Sequence, residues 1–340
     1  PIPVSYIREQ GKEKKLGARL MAVVAEGNRG RIYLPPTESM QSLAESAEAI
    51  WGPEEEINYN PRDIRTQLYG LTTYADLFTN RQLVALTTFS DLVMEAREQT
   101  IADAKSSGLT DDEIGVADGG TGATAYGDAL AVYLAFAVDK AADNNSSLCS
   151  WHSGRETVRN TFGRQAIPMV WDFVEPNLFS GLSGSMRSMQ KWIEKSLIEF
   201  TGKCPGFANQ ENAMTSSWPQ KRVVSTDPPY YDNIGYADLS DFFYVWMRKS
   251  LQQVFPRELS TVLVPKAEEL VATPYRHGGK KEAENFFLDG MTQAMIHISN
   301  NAVPGIPVTI YYAFKQAELK EEGLSSTGWA TFLQAVLAAG

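Results

Sequence analysis

The segment at positions 223–233 reads Val-Val-Ser-Thr-Asp-Pro-Pro-Tyr-Tyr-Asp-Asn and decides the fold. With Arg222, its first four residues form a β-branched, largely apolar run of the kind that builds strands. The run leads directly into Pro228 and Pro229, which stiffen the chain and supply no N–H group. Ligands bind at the carboxyl ends of strands in open α/β sheets. We therefore expect a short buried strand over 222–226 and a functional turn at its end.

The sequence after residue 205 alternates between helical and strand patterns. Helical periodicity occurs over 241–251, 281–300 and 329–339, and the strongest strand pattern of the chain lies at 307–314. This alternation predicts an α/β layered sheet over residues 206–340.

The sequence before residue 206 has a different character. Positions 1–36 contain two strand-like runs around a Gly-rich turn, which predicts a small β hairpin. Residues 37–205 have the pattern of a mostly helical domain, with helices over 82–105 and 127–144. Asn80 is the expected cap of the first of these helices.

The segment 106–124 between those helices is rich in Gly, Asp and Thr, which predicts a mobile loop. Its Gly119-Gly120-Thr121-Gly122 stretch resembles a phosphate-binding loop. Such a loop needs a hydrophobic strand before it and a Lys-Ser or Lys-Thr pair after it, and the sequence has neither. A flexible linker is the better interpretation.

The turn after position 226 combines groups that suit one chemical problem. The Asp227 carboxylate and the Pro228 carbonyl are two acceptors, and Tyr230 offers a flat aromatic face. Two acceptors that grip an exocyclic amine of a base can direct its lone pair towards a methyl donor. The aromatic face can stack on a base that has been rotated out of the duplex. A purely structural turn after a strand is the alternative.

Charge and composition limit the function classes. The chain has 340 residues and a formal net charge of −10, which argues against a generally basic, nucleic-acid-binding surface but allows local basic patches. No apolar run reaches the roughly 18 residues of a membrane span, and no signal peptide begins the sequence, so we expect a cytoplasmic protein. The sequence opens without Met and ends on Ala338-Ala339-Gly340, so we expect a piece of a longer protein.

The metal-binding residue types are few. The two cysteines, Cys149 and Cys204, are far apart and have no CxxC partners, so they cannot complete a zinc site, and we expect inert thiols. His152 lies three residues after Cys149, but two ligands do not close a site. No metal is therefore expected.

Long segments of the chain resemble the DUF1156-type adenine-specific DNA methylases that contain a zinc ribbon. The resemblance rests on the stretch from Thr226 to Trp246, which contains the Asp-Pro-Pro-Tyr turn, and on four further stretches. These are 17–27, Gly-Ala-Arg-Leu-Met-Ala-Val-Val-Ala-Glu-Gly; 86–93, Leu-Thr-Thr-Phe-Ser-Asp-Leu-Val; 160–173, Asn-Thr-Phe-Gly-Arg-Gln-Ala-Ile-Pro-Met-Val-Trp-Asp-Phe; and 265–279, Pro-Lys-Ala-Glu-Glu-Leu-Val-Ala-Thr-Pro-Tyr-Arg-His-Gly-Gly.

The resemblance implies an incomplete Rossmann-like methyltransferase sheet, with S-adenosylmethionine as cofactor and DNA as partner. The catalytic loop would be Asp227, Pro228, Pro229 and Tyr230. The substrate would contact Tyr231, Asn233, Lys266 and Arg276, and the cofactor would contact Asn212 and Asp227. Asn212 stands where the family pattern has an acidic residue, and the family's Phe-x-Gly-x-Gly cofactor loop is missing from this sequence, so the chain alone is expected to bind the cofactor weakly.

The predicted organisation is a hairpin over 1–36 next to a zinc ribbon, a helical domain over 37–205 that would recognise the target, and a catalytic half over 206–340. Methylation of adenine N6 is the expected activity. An RNA or protein-amide methyltransferase is one alternative, and Asp at position 227 favours DNA over it, because those enzymes usually have Asn there. A non-catalytic recognition or scaffold protein is the other. The choice between adenine and cytosine, the target sequence and the oligomeric state stay open.

Two side-chain predictions concern the helix after the turn. Phe242 and Trp246 are four residues apart and are expected on a core face. Asp238 and Asp241 are expected to cap the same helix.

Overall fold

The computed structural model describes residues 2–202, 204, 206–232, 234–313 and 327–340. The chain forms two compact units. The first contains Pro1–Lys203 and Leu239–Val264, and the second contains Cys204–Asp238 and Pro265–Gly340. The domain boundaries that the sequence suggests after residues 36 and 205 stay predictions.

Helices and small sheets make up the secondary structure, and about 44% of the chain is helical. The architecture is therefore a mixture of helix and strand, in which each of the described sheets has two strands. The helices are α1 (Val4–Lys12), α2 (Glu38–Glu45), α3 (Asn80–Ser106), α4 (Ala123–Asn144), α5 (Met186–Glu199), α6 (Tyr236–Leu251), α7 (Pro274–His277), α8 (Lys280–Asn301) and α9 (Thr327–Ala338). The strands are β1 (Val23–Gly27), β2 (Gly30–Leu34), β3 (Ser150–His152), β4 (Thr157–Arg159), β5 (Ser225–Thr226) and β6 (Thr309–Ile310). Within the described ranges, no helix combines the length and apolarity that a membrane crossing requires.

Helix α3 begins at Asn80, and its cap is the preceding residue, Thr79. The Thr79 hydroxyl accepts from the N–H of Gln82, and the Gln82 side chain accepts from the N–H of Thr79, which completes a capping box. The prediction of Asn80 as the cap is therefore wrong, because Thr79 offers a reciprocal bond. The predicted helical periodicity is confirmed, since Leu83, Leu86 and Val93 are buried against the Ala-rich α4.

The predicted hairpin near the start of the chain is confirmed. Strands β1 and β2 pair antiparallel, with Val24 opposite Tyr33 and Glu26 opposite Arg31. Helix α1 precedes the hairpin and is missing from the prediction for residues 1–36. Its Gly11 lies against the backbone of Tyr69, so a short polar segment is fixed as a helix by a close main-chain contact.

The loop between α3 and α4 is held by two aspartates. Asp111 accepts hydrogen bonds from the N–H and hydroxyl of Thr124, and Asp112 accepts from the N–H of Thr121. Hydrogen bonds and the Lys105 ammonium lower the pKa of Asp111 well below its usual range. The segment predicted to be a mobile linker is therefore a tied loop, and the Asp111 carboxylate occupies the amino end of α4, where a phosphate would have to bind.

The core of the first unit includes the aromatic face of α6. Phe242 and Trp246 are fully buried and pack on Phe78, which confirms the predicted core face. The predicted capping role of Asp241 is wrong. Its carboxylate instead accepts from the N–H of Val264 and from the Asn58 amide.

The second unit is built around the parallel pair of β5 and β6, with Ser225 opposite Thr309 and Thr226 opposite Ile310. Helices α8 and α9 pack together and bury a cluster around Phe287, Met291 and Phe332. The prediction of a buried strand over 222–226 is wrong in extent and in burial. The strand has two residues and Val223 is 65% exposed, because a two-stranded sheet leaves its edges and one face uncovered.

Candidate active site

Strand β5 ends at Thr226 for a reason that is visible in its pairing with β6. The Tyr311 N–H donates to the Thr226 carbonyl at 2.8 Å. The next bond of a parallel ladder would run from an N–H at position 228 to the Tyr311 carbonyl. Pro228 has no N–H, so the ladder stops there and the turn begins at Asp227. The two prolines thus place a turn at the carboxyl end of both strands.

The two acceptors expected at this turn belong to Asp227, which is exposed, and Pro228, which is half-buried. The Tyr230 hydroxyl donates to Oδ1 of Asp227 at 2.5 Å. This bond, with smaller contributions from desolvation and from the Asp227 charge, raises the pKa of the Tyr230 hydroxyl. Within the described ranges, Oδ2 of Asp227 and the Pro228 carbonyl accept no hydrogen bond. Two acceptors next to each other in the chain are thus available to an incoming donor.

Tyr311 follows β6 directly and was not assigned to the site by the sequence. Its N–H donates to the carbonyl of Thr226, the residue before Asp227. Asp227 is exposed, and the Tyr311 side chain is 62% exposed. An exposed aromatic residue thus pairs through its backbone with the start of the turn. The sequence could have identified this residue only if the pairing of β5 with β6 had been known.

The ring of Tyr230 is supported by an aromatic cluster. It contacts Tyr312 edge-on, with ring centroids 5.4 Å apart and planes at 74°. Tyr312 stacks on Phe332 at 4.0 Å and lies 5.7 Å from Trp329. Burial raises the pKa of Tyr312 above its usual range, so this ring stays neutral. The cluster fixes Tyr230, and through its hydroxyl it orients the Asp227 carboxylate.

Tyr231 has a structural environment. Its backbone is left-handed, with φ 53, and its carbonyl accepts from the N–H of Ala272 at 3.0 Å. Its ring meets Phe287 at 5.2 Å and packs on Gly328. These contacts anchor the end of the turn in the core of the second unit, and they favour a positioning role over the predicted contact with substrate. Asn233, the other predicted substrate residue in this stretch, lies outside the described residues.

Arg276 lies between two carboxylates. Its guanidinium is 2.9 Å from Asp238 and 2.5 Å from Glu269, and its side chain is 11% exposed. Burial alone would lower the pKa of Arg276, but the bond to Glu269 and the charge of Asp238 outweigh it and raise that pKa. The positive charge is neutralised inside the protein, so the geometry favours a structural role over the predicted contact with substrate. The Asp238 carboxylate lies in the first turn of α6, faces Arg276 and accepts from the Tyr275 hydroxyl, and its predicted capping role stays a prediction.

Lys266 lies three residues before Glu269, which is paired with Arg276. It is half-buried, and its carbonyl accepts from the N–H of Glu269. The Glu269 carboxylate, which is paired with Arg276, also accepts from the N–H of Ala237 and so connects residues 266–269 to the start of α6.

The residues expected to contact the cofactor fit it only in part. The side-chain oxygen of Asn212 accepts from the N–H of Met214 at 2.9 Å, so it caps a local turn and only the amide NH₂ is left for a ligand. At the strand end, one carboxylate oxygen of Asp227 has no partner among the described residues. These two residues do not make up a site for an adenosine group, and we assign no residue of this chain to that part of the cofactor.

The cysteines differ in environment. Cys149 is fully buried, where desolvation raises the pKa of its thiol, as expected for an inert cysteine. Cys204 is exposed, so the prediction of an inert environment does not extend to it. Among the described residues, no group of three or more His, Cys, Asp or Glu side chains is arranged to hold a metal ion.

Comparisons with protein-family models, with curated proteins and with solved structures found no match for this chain.

Proposed function

We propose that this chain contributes the acceptor-binding turn of an S-adenosylmethionine-dependent methyltransferase that acts on an exocyclic amine of a DNA base, adenine N6 in the first instance. One observation carries the proposal. Asp227 and Pro228, at the carboxyl end of two parallel strands, leave a carboxylate oxygen and a carbonyl without partners inside the described chain, and the exposed Tyr311 pairs through its backbone with the residue before them. The resemblance to adenine-specific methylases agrees with this arrangement.

The two acceptors match the two N–H groups of an exocyclic amine. Such an amine is a weak nucleophile because its lone pair is delocalised into the ring. Hydrogen bonds from both N–H groups to Asp227 and Pro228 would draw the nitrogen towards tetrahedral geometry and aim its lone pair out of the ring plane. When bound, S-adenosylmethionine supplies an electrophilic methyl group. Transfer would form the bond between nitrogen and the methyl carbon while the bond between that carbon and sulfur breaks, which would release S-adenosylhomocysteine, and the Asp227 carboxylate could accept the proton that the amine loses.

Aromatic rings at the turn suit a base taken out of its stack. Tyr230 is held by its bond to Asp227 and by Tyr312, so it presents a fixed edge. Tyr311 is free to cover one face of the base. Enzymes that modify bases in duplex DNA hold the extruded base by stacking of this kind.

The test is transfer of tritiated methyl groups by the full-length protein to DNA, RNA and protein in parallel. Asp227→Ala removes the carboxylate, and Asp289→Ala removes an exposed carboxylate from α8 as a matched control. We expect label in DNA with the wild type and with Asp289→Ala, and a loss of at least 100-fold with Asp227→Ala, as for the removal of one group that stabilises a transition state.

Three outcomes would count against the proposal. Label in RNA or protein alone would assign the turn to another planar amine. Equal transfer by Asp227→Ala and the wild type would exclude this turn from the chemistry. DNA binding without transfer to any substrate would leave a recognition protein.

A further inference from the structure

Basic residues are unevenly distributed along this acidic chain. The first 36 residues contain seven Lys or Arg and three Glu, although the whole chain has a formal net charge of −10. A second group of arginines, Arg155, Arg159 and Arg164, follows within ten positions, with Glu156 as the only acidic residue among them. Such asymmetry of charge is typical of a surface that meets a polyanion.

Two basic residues of the first group and the three arginines of the second lie on or next to β hairpins of the first unit, whereas the other five of the first group lie in α1 or between α1 and β1. Arg29 is in the turn between β1 and β2, and Arg31 is in β2. Arg155 is in the turn between β3 and β4, Arg159 ends β4, and Arg164 follows it. We call these five arginines, together with Tyr33, the hairpin surface.

The arginines of the hairpin surface differ from several arginines elsewhere in the chain. Arg81, Arg97 and Arg276 each form ion pairs with buried or half-buried carboxylates. Within the ranges that the structure describes, none of the five hairpin arginines is in an ion pair, and all are exposed except Arg31, which is half-buried. Their charges are therefore not used to stabilise the fold.

Tyr33 joins the two hairpins. Its ring meets Trp151 edge-on at 6.4 Å, and its hydroxyl donates to Glu156 at 3.4 Å. Arg31 lies two residues before Tyr33 on β2 and thus on the same face of the strand, and Arg155 directly precedes Glu156. One arginine of each hairpin is thus close in sequence to a residue of this contact, and the Tyr33 side chain itself is 54% exposed.

We propose that the hairpin surface binds the phosphate backbone of duplex DNA. Guanidinium groups are suited to this role because each presents a planar fork of donors that matches a phosphate. Backbone contacts of this kind fix the position of a protein on the duplex and carry no sequence information themselves. The choice of DNA as the polyanion rests on the proposed function, whereas the charge pattern alone indicates only a polyphosphate backbone.

The experiment is DNA binding by the full-length protein, measured by fluorescence anisotropy with a labelled duplex at several salt concentrations. A triple variant, Arg29→Gln, Arg155→Gln and Arg159→Gln, removes three exposed charges. A control variant, Lys221→Gln, Lys280→Gln and Lys281→Gln, makes the same change in net charge on the second unit, where all three lysines are exposed.

Each phosphate contact contributes roughly 0.9 to the slope of log affinity against log salt. We expect the triple arginine variant to lower that slope by about 3 and to weaken binding at least tenfold at low salt, with the lysine control close to the wild type. Equal binding by the two variants, or no binding of duplex DNA by the wild type, would overturn the proposal.

The result separates this proposal from the proposed function. Asp227→Ala is expected to abolish methyl transfer and to leave the salt slope of DNA binding unchanged, because the slope reports contacts to phosphates and Asp227 would contact a base. Failure of the arginine test with intact transfer would place the DNA elsewhere on the protein, and failure of transfer with a positive arginine test would leave a DNA-binding protein.

Discussion

The two ion pairs of Arg276, with Asp238 and Glu269, are here called the Arg276 clamp, and replacing Arg276 tests whether they stabilise the second unit. Replacement by Met keeps most of the volume of the side chain but removes the charge that faces Asp238 and Glu269. Asp238 is 1% exposed and Glu269 is 13% exposed, so water cannot replace the guanidinium. Removing one partner of a buried ion pair costs about 3–5 kcal/mol. Since Tyr275 and Ala237 still donate to these two carboxylates, we expect the lower end of that range.

Hydrogen exchange followed by mass spectrometry suits this prediction, because the two compact units need not unfold together. Arg276→Met should speed the exchange of α8 while leaving α3 and α4 unchanged. Asp238→Asn added to Arg276→Met should restore part of the protection, because one unpaired charge is then gone. Unchanged exchange in α8 with Arg276→Met would refute the clamp as a source of stability.

Three further predictions concern stability in the first unit. Burial raises the pKa of Asp139 well above its usual value, and within the described part of the chain its Oδ1 has no hydrogen-bond partner. The Asp139 carboxyl therefore ionises at a lower pH in the unfolded chain than in the folded chain, and the free energy of unfolding falls as the pH rises above the unfolded pKa. Asp139→Asn should stabilise the protein by about 1–3 kcal/mol at pH 7 and have little effect near pH 4, as measured by urea unfolding. Gly11→Ala should destabilise the protein by about 1–3 kcal/mol, because the added Cβ would lie 2.3 Å from the Tyr69 carbonyl oxygen. Gly17→Ala, which has open space around it, should be nearly neutral in the same assay. Equal unfolding midpoints for the two variants would contradict the close contact. Phe242→Ala should cost about 3–5 kcal/mol because the ring is fully buried, and a loss below 1 kcal/mol would show that the site collapses around the missing ring.

Patterns that repeat over several turns were predicted well from the sequence. Helices α3, α4, α8 and α9 lie within a few residues of their expected ranges, because an apolar stripe at helical spacing must be buried wherever the helix packs. Helix α1 was missed, since it has only nine residues and a polar composition. Its position depends on the contact between Gly11 and a distant segment, which no local pattern reports.

The turn after β5 could be located from the sequence because proline acts locally. Pro228 removes one N–H wherever it stands, and the strand must end there. The partners of the turn could not be located in this way. Tyr311 lies more than 80 positions after Asp227, and its backbone bond to Thr226 follows from the register of β5 and β6.

Long-range hydrogen bonding explains the error on Asp241. Asp241 was expected to cap α6, but its carboxylate accepts from the N–H of Val264, and the buried carboxylate of Asp238 likewise faces a distant donor, Arg276. A buried carboxylate is stabilised by whichever donors the tertiary structure brings to it, so local propensity is overridden.

The most direct test of the central claim is the identity of the methylated nucleoside. Unmethylated DNA would be treated with the full-length protein and S-adenosylmethionine, digested to nucleosides and analysed by mass spectrometry, with Asp227→Ala and Asp289→Ala alongside. We predict N6-methyladenine with the wild type and Asp289→Ala, and none above background with Asp227→Ala. Methyl groups on a ring carbon, or N6-methyladenine that persists in Asp227→Ala, would contradict the claim that this turn grips an exocyclic amine.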